Sequence, residues 1–157
     1  MNKKLMLYYS LNKKAKETNF ETAVRKGLAE DRGLYFPKKI TRLAQSFFDA
    51  IDTLSPTEIG YEVIKQFLGD EIPQADLKAI ISETLDFEFP VVSVDDNVAS
   101  LELYHGPTLA FKDVGARFMA RCLGYFNRNN STSENVTVLV ATSGDTGGAV
   151  ANGFYNV

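Results

Sequence analysis

Lys112 is a side chain of this sequence that could bond covalently to a carbonyl compound. It follows three apolar residues, Leu109, Ala110 and Phe111, and stands where a helical pattern begins. Partial burial and the positive end of a helix dipole both favour a neutral amine, which is the form that attacks an aldehyde to give an imine. The alternative is a lysine whose stem packs while its ammonium group reaches water, and this stretch alone favours that alternative.

A second group of residues, Ser143-Gly144-Asp145-Thr146-Gly147, follows an apolar β-branched run and leads into another helical pattern. Glycines let the backbone approach a ligand, and hydroxyls and helix-start amides donate hydrogen bonds to a carboxylate or phosphate. The alternative is an ordinary turn in which Asp145 or Thr146 caps the helix. On this stretch alone the two interpretations are even, and the turn matches neither a Walker P-loop nor G-x-G-x-x-G.

His105, the only histidine, lies in the turn His105-Gly106-Pro107-Thr108 ahead of the lysine. It could titrate near neutral pH, but a hydrogen-bonded structural role is the stronger expectation. The carboxyl ends of neighbouring parallel strands meet at one sheet edge. An aldehyde cofactor on Lys112 would then face a substrate carboxylate held by residues 143–147, which is the arrangement that a pyridoxal phosphate (PLP) enzyme acting on amino acids needs.

The elements that position these residues fall into two parts. Up to residue 89 the patterns predict mostly helices. Thr18 and Glu21 form a T-x-x-E capping box for a first helix that Gly33 ends, and Thr41 is a candidate cap of a second. Ser55-Pro56-Thr57-Glu58 is a stronger capping signal for a helix that Gly69 ends, and a further helix starts at Pro73.

After Pro90 the patterns predict two strands, "VVSV" and "ASLELY", a helix from Lys112, a polar loop over 127–135, the buried strand "VTVLVAT" and a last helix. This order predicts a parallel α/β unit. The fold class is therefore α/β, with a helical domain over residues 1–89 and a parallel-sheet domain that begins at residue 90.

Composition limits the function classes. The 157 residues are 45% hydrophobic and 24% charged with a net charge of −3, which is typical of a soluble globular protein without a nucleic-acid or membrane partner. One cysteine and one histidine argue against an internal disulfide and against a zinc site. A cytoplasmic, reducing location is the default expectation.

Three segments resemble those of threonine synthases. "ELYHGPTLAFKDVGARFMA" resembles the lysine segment of that family, "VLVATSGDTGGAVANGFY" its substrate-carboxylate loop, and "VRKGLAEDRGLYFP" its N-terminal signature. They occur in the family's order and span residues 18–157. The sequence differs from the family pattern at Glu30-Asp31-Arg32, where the family has a turn with proline and glycine. This difference puts the shape of that loop in question.

The resemblance implies a fold-type II, three-layer PLP-binding domain and the conversion of O-phospho-L-homoserine and water to L-threonine and phosphate. It implies that Lys112 is the Schiff-base lysine, flanked at the cofactor by Phe111 and Asp113. It assigns the substrate carboxylate to Ser143, Gly144, Asp145, Thr146 and Gly147, and a wall of the site to His105 and Thr108. From its composition we expect no metal site, and the sequence leaves a homo-oligomer open.

The chain is shorter than the family. The glycine-rich loop for the cofactor phosphate and the polar residue facing the pyridine nitrogen are not found in it, so we expect an N-terminal portion that is inactive or nearly so alone. Two alternatives rank lower. One is another PLP enzyme of the same fold, such as a serine/threonine dehydratase or a cysteine synthase, and the other is a non-catalytic scaffold.

Overall fold

The computed structural model describes residues 5–129 and 136–157, and the chain divides into two compact units, residues 1–81 and 82–157. The elements in chain order are β1 (Tyr8–Ser10), α1 (Phe20–Lys26), β2 (Tyr35–Pro37), α2 (Gln45–Asp49), a 3₁₀ turn (Ile51–Thr53), α3 (Pro56–Leu68), α4 (Gln74–Thr84), β3 (Val91–Asp95), β4 (Val98–Leu101), α5 (Lys112–Arg128) and α6 (Asp145–Phe154). Within the described ranges, no helix combines the length and apolarity that crossing a membrane requires. A domain boundary at residues 89 and 90 stays a prediction.

The first unit has a small hairpin and helices around one apolar core. β1 and β2 pair antiparallel, with Tyr8 opposite Pro37. The Tyr8 ring is buried near Phe20, and its hydroxyl donates to the carbonyl oxygen of Phe67 at 2.8 Å. Burial raises the pKa of Tyr8 to about 12. The rest of this core is aliphatic and includes Leu68, Ile72, Leu77, Ile80 and Ile81.

The start of α1 differs from the predicted capping box. The N-cap is Asn19, not Thr18. The buried carboxylate of Glu71, from the connection between α3 and α4, accepts hydrogen bonds from the backbone amides of Phe20 and Glu21 at 2.9 and 3.1 Å. The free amides of a helix start attract an anion. Here the anion comes from a residue about fifty positions along the chain, which local spacing does not reveal.

The predicted start of α3 is confirmed. The Ser55 hydroxyl accepts from the Glu58 amide at 3.3 Å, and the Glu58 carboxylate accepts from the Ser55 amide at 2.9 Å. The helix ends at Gly69, whose φ of 60° is the left-handed conformation that glycine adopts without strain. Local signals alone fix both ends of this helix.

Two other predicted boundaries are wrong. α1 ends at Gly27 rather than Gly33. Gly33 instead permits a close approach between loops, because a Cβ there would lie 2.0 Å from the Ser10 hydroxyl oxygen. Thr41 caps no helix, since α2 begins at Gln45; the Thr41 amide donates to the side-chain oxygen of Gln66 on α3 at 2.7 Å.

The two assigned strands after Pro90 pair with each other, and the parallel pairing expected across the helix from Lys112 stays a prediction. β3 and β4 form an antiparallel hairpin, with Val91 opposite Leu101 and Ser93 opposite Ala99. Only residues 96–97 connect them, and so short a connection joins strands antiparallel, whereas parallel strands need a long crossover. Residues 136–142 are not assigned to a strand. Most of the predicted loop 127–135 lies outside the described residues.

Helices α5 and α6 pack closely on each other in the second unit. A Cβ at Gly153 would lie 3.0 Å from the backbone of Ala116, so the two helix backbones approach directly. Ala120, Cys122 and Ala149 are fully buried. Small residues at this contact fix the position of one helix start relative to the other, and both helix starts carry predicted site residues.

Candidate active site

Lys112 is the first residue of α5, as the sequence predicts. Leu109 before it adopts a positive φ of 57°, which turns the chain into the helix. Ala110 is buried, but Leu109 and Phe111 are exposed, so the apolar enclosure expected around the lysine is absent from the described residues. The side chain of Lys112 is 32% exposed, and its Nζ lies 4.4 Å from the centroid of the Phe111 ring.

Asp113 holds the turn that precedes the helix. Its carboxylate is fully buried and accepts two hydrogen bonds from Thr108, from the backbone amide at 2.9 Å and from the hydroxyl at 2.6 Å. Gly106 packs against the same carboxylate, because a Cβ there would lie 2.5 Å from Oδ2. Asp113 therefore ties the turn of residues 106–108 to the start of α5 and fixes the backbone that carries Lys112.

Residues 143–147 form the start of α6. Gly144 is the N-cap residue with φ of 154°, and no side chain caps this helix. Gly147 packs closely on Thr142, since a Cβ there would lie 2.7 Å from the threonine methyl. The helix-start amides and the exposed Ser143 make this bend suited to an anion.

The two predicted motifs meet at Asp145. Its Oδ2 lies 3.7 Å from Nζ of Lys112, although 33 positions separate the residues in the sequence. The Asp145 side chain is 77% exposed, so water screens this ion pair. The structure thus brings a primary amine to the N-terminal end of α6, next to the donor-rich bend.

His105 belongs to a separate cluster on the same loop. Its Nε2 lies 2.7 Å from Oε2 of Glu102, and its ring stacks on Tyr104 at 4.8 Å between centroids. The hydrogen bond from His105, followed by one from Tyr104, lowers the pKa of Glu102 below its usual value. Sequence reasoning missed Glu102; the i, i+3 spacing of a carboxylate and a histidine was the signal that could have found it.

Arg117 and Arg121 of α5 reach the C-terminal end of α4. The Arg121 Nε donates to the Glu83 carboxylate at 2.8 Å, and the Arg117 guanidinium donates to the Glu83 carbonyl oxygen. Cations near the carbonyl end of a helix are favoured by its dipole. Sequence reasoning also missed these contacts, which hold the first half of α5 against the C-terminal end of α4.

A family model described as the N terminus of threonine synthase matches residues 7–85, about half of the chain. The chain belongs to the threonine synthase family. Curated threonine synthases from Escherichia coli and from Buchnera aphidicola subsp. Baizongia pistaciae are each 40% identical to it, over 152 and 153 residues respectively. Those alignments cover 97% of this chain and 35% of each relative, so the chain spans about a third of the length of these relatives.

Solved threonine synthases share its fold. The crystal structure of the Escherichia coli enzyme matches 96% of the chain with a TM-score of 0.86 at 40% identity. A PLP-bound threonine synthase from Brucella melitensis matches 95% of the chain with a TM-score of 0.88 at 38% identity. The chain covers 34% and 33% of those structures. The predicted α/β class, as the N-terminal part of a threonine synthase, is confirmed.

Proposed function

We propose that this chain supplies the lysine and the substrate-carboxylate loop of a threonine synthase. The reaction would be the PLP-dependent conversion of O-phospho-L-homoserine and water to L-threonine and phosphate, a carbon–oxygen lyase reaction. The single observation that carries the proposal is the 3.7 Å separation between Lys112 Nζ and Asp145 at the start of α6. This distance supports the proposal because the chemistry requires the lysine, at the start of α5, to lie close to the carboxylate loop, at the start of α6.

The residues of the second unit fit the aldehyde end of PLP. Lys112 is the only lysine among residues 82–157, its amine is partly accessible, and the exposed Phe111 ring lies beside it. When bound, PLP supplies a ring that accepts electrons and so stabilises negative charge at the substrate Cα. The groups for its phosphate and pyridine nitrogen are not identified in this chain, which covers about a third of its relatives.

Each residue of this chain then has a defined task. Lys112 Nζ would hold the cofactor aldehyde, and its free amine would take up the proton from the substrate Cα. Asp145 favours the ammonium group that results, because opposite charges 3.7 Å apart attract. The helix-start amides and hydroxyls of Ser143, Gly144, Thr146 and Gly147 bind the substrate carboxylate.

The remaining predicted residues are proposed to position this machinery. Asp113 was expected at the cofactor, but its buried carboxylate is occupied by Thr108, so we assign it to holding the turn before Lys112. His105 and its partner Glu102 form a wall beside that turn. We keep the cytoplasm as the proposed location and propose that the chain alone has little or no activity.

The test uses a chimera in which this chain replaces the matched first third of the Escherichia coli enzyme, assayed by phosphate release from O-phospho-L-homoserine. Lys112→Ala should abolish turnover, whereas Lys38→Ala, at an exposed lysine of the first unit, should not. Borohydride reduction after incubation with PLP should place a pyridoxyl adduct on Lys112 in mass spectra. Ordinary turnover by the Lys112→Ala chimera would refute the assignment.

For the isolated chain, we expect no stoichiometric adduct at Lys112 under the same conditions. A stable adduct at one equivalent of PLP would contradict the proposal that the rest of the enzyme is needed to retain the cofactor.

A further inference from the structure

The first unit contains a concave pocket that the proposed reaction does not use. It has a volume of about 480 Å³ and lies between the segment of residues 39–44, the residues ahead of β1 and helix α3. Ligand pockets commonly have volumes of about 300–1,000 Å³, whereas packed cores leave few voids larger than a water molecule. The space is therefore of the size that a small molecule fills.

Two hydrogen bonds hold the wall that residues 39–44 form. The Lys38 amide, at the start of this segment, donates to the carbonyl oxygen of Leu7 at 2.8 Å. Within the segment, the Thr41 amide donates to the side-chain oxygen of Gln66 on α3 at 2.7 Å. The wall is thus in place before a ligand binds, and this lowers the ordering cost of binding.

The lining of the pocket has an apolar part and a cationic part. Leu5, Met6 and Leu43 supply aliphatic side chains, and Lys39 and Arg42 supply positive charge. This combination fits an amphipathic anion, because the apolar side chains remove a hydrocarbon tail from water while the cations hold the charged end. A guanidinium group binds a carboxylate through two parallel hydrogen bonds.

The charges of Lys39 and Arg42 are not neutralised within the part of the chain that the structure describes, where neither side chain has an ion-pair partner. Lys65, a third cation of the lining, is bound to Glu62 at 2.7 Å. The other carboxylate of the lining is Asp70, so cations outnumber carboxylates by three to two. The positive charge of Lys39 and Arg42 is therefore available to a ligand.

We propose that this pocket is a binding site for a small aliphatic carboxylate. The carboxylate lies on Arg42 and Lys39, and the tail packs on Leu5, Met6 and Leu43. Inorganic phosphate would satisfy the cations and leave the aliphatic wall in contact with water, whereas an uncharged aliphatic molecule would leave both cations without a partner. A carboxylate with a tail satisfies both parts of the lining.

The first experiment titrates the isotope-labelled 157-residue chain with sodium hexanoate and follows the backbone amides by NMR, against sodium chloride at equal ionic strength. We expect saturable shifts in residues 39–44 and in α3, with a Kd on the order of 1 mM. Hexanol lacks the charge and inorganic phosphate lacks the tail, so each should bind at least about tenfold more weakly. Equal affinity for hexanol would overturn the role of the cations, and equal affinity for phosphate would overturn the role of the aliphatic wall.

Arg42→Gln tests the contact with the carboxylate. It should weaken hexanoate binding at least about tenfold, because a hydrogen bond between two charged groups is lost. Arg25→Gln is the matched control, since Arg25 lies in the same unit, outside the pocket lining, and pairs with Glu21 at 2.8 Å. The control should bind hexanoate as the original chain does, and unchanged affinity of Arg42→Gln would overturn the assignment.

Leu43→Glu keeps the proposal testable if Arg42→Gln alters the fold. A carboxylate in the wall of the pocket should repel hexanoate, so we expect this variant to lose the saturable shifts. Binding by Leu43→Glu at the original affinity would place hexanoate elsewhere on the chain and overturn the site.

The chimera described above tests whether the pocket is open in a whole enzyme. Saturation-transfer NMR should detect hexanoate on the chimera and not on its Arg42→Gln variant, and the absence of transfer to the chimera would overturn the site. The Lys112→Ala chimera should bind hexanoate normally and release no phosphate from O-phospho-L-homoserine. A failure of this site is therefore distinguishable from a failure of the proposed reaction, on which it does not depend.

Discussion

The hydrogen bonds between Thr108 and Asp113 lead to a quantitative prediction for the second unit. The Asp113 carboxylate is fully buried and is held by the Thr108 hydroxyl at 2.6 Å and amide at 2.9 Å. Thr108→Val removes the hydroxyl with little change of shape and leaves one buried carboxylate oxygen without its donor. Asp113→Asn keeps the shape and removes the charge.

The magnitude follows from these contacts. A hydrogen bond to a charged group contributes about 1.5–3 kcal/mol, so each single substitution should cost about 2 kcal/mol. Both substitutions disrupt the same bond between hydroxyl and carboxylate. The double variant should therefore cost about 1–2 kcal/mol less than the sum of the two single variants.

The assay is urea dependence of amide hydrogen exchange in α5, because this reports the second unit without assuming that both units unfold together. The control is Asp86→Asn, at an exposed aspartate of the same unit, which should change stability by less than about 0.5 kcal/mol. If the double variant lost the full sum of the two single losses within about 0.5 kcal/mol, the bond would not hold the turn to α5 and the positioning role of Asp113 would be wrong.

Four further predictions concern single side chains. The pKa of Asp31 is lowered to about 2, first by the hydrogen bond from Ser10. The stabilisation that this carboxylate gives the folded state is therefore fully present above its ordinary pKa of 3.8 and is lost as the pH falls towards 2. Asp31→Asn should make the urea unfolding midpoint depend less on pH in this range, and an unchanged dependence would contradict the prediction. Arg32 adopts a positive φ of 64°. Arg32→Gly should therefore raise the free energy of unfolding in urea by about 0.5–1 kcal/mol, while Arg32→Ala should not raise it. Cys122, buried with its pKa raised to about 12, should resist thiol reagents at pH 8 until the chain is unfolded in guanidinium. Asp145→Asn removes an ion pair with Lys112 that water screens, so it should lower the free energy of unfolding in urea by no more than about 1 kcal/mol, and a larger loss would show that this pair is not screened.

Many elements were predictable from sequence because their signals are local. The Ser55 and Glu58 capping box and the left-handed Gly69 involve neighbours within one helix turn, and so does the placement of Lys112 at the start of α5. Lys112, residues 143–147 and His105 were identified from residue type and spacing, and the resemblance to threonine synthases then assigned their roles, which stay predictions.

The failures share a physical cause, which is that the deciding partner is distant in sequence. The α1 cap depends on Glu71, and Gly33 serves a contact with Ser10 rather than a helix end. The burial expected of Leu109 and Phe111 needs covering residues that the described chain does not contain. The strand predicted over 136–142 needs paired neighbours, which no local pattern can supply.

The sequence by itself determined which groups could do chemistry here: an amine at a helix start and a glycine-rich bend with hydroxyls and a carboxylate. Only the tertiary structure decided that they meet, because the 3.7 Å approach of Lys112 to Asp145 depends on how α5 and α6 pack. That packing rests on Gly153 lying against the Ala116 backbone. The sequence specifies the types of side chain, whereas the distance between two side chains depends on the tertiary packing of the elements that carry them.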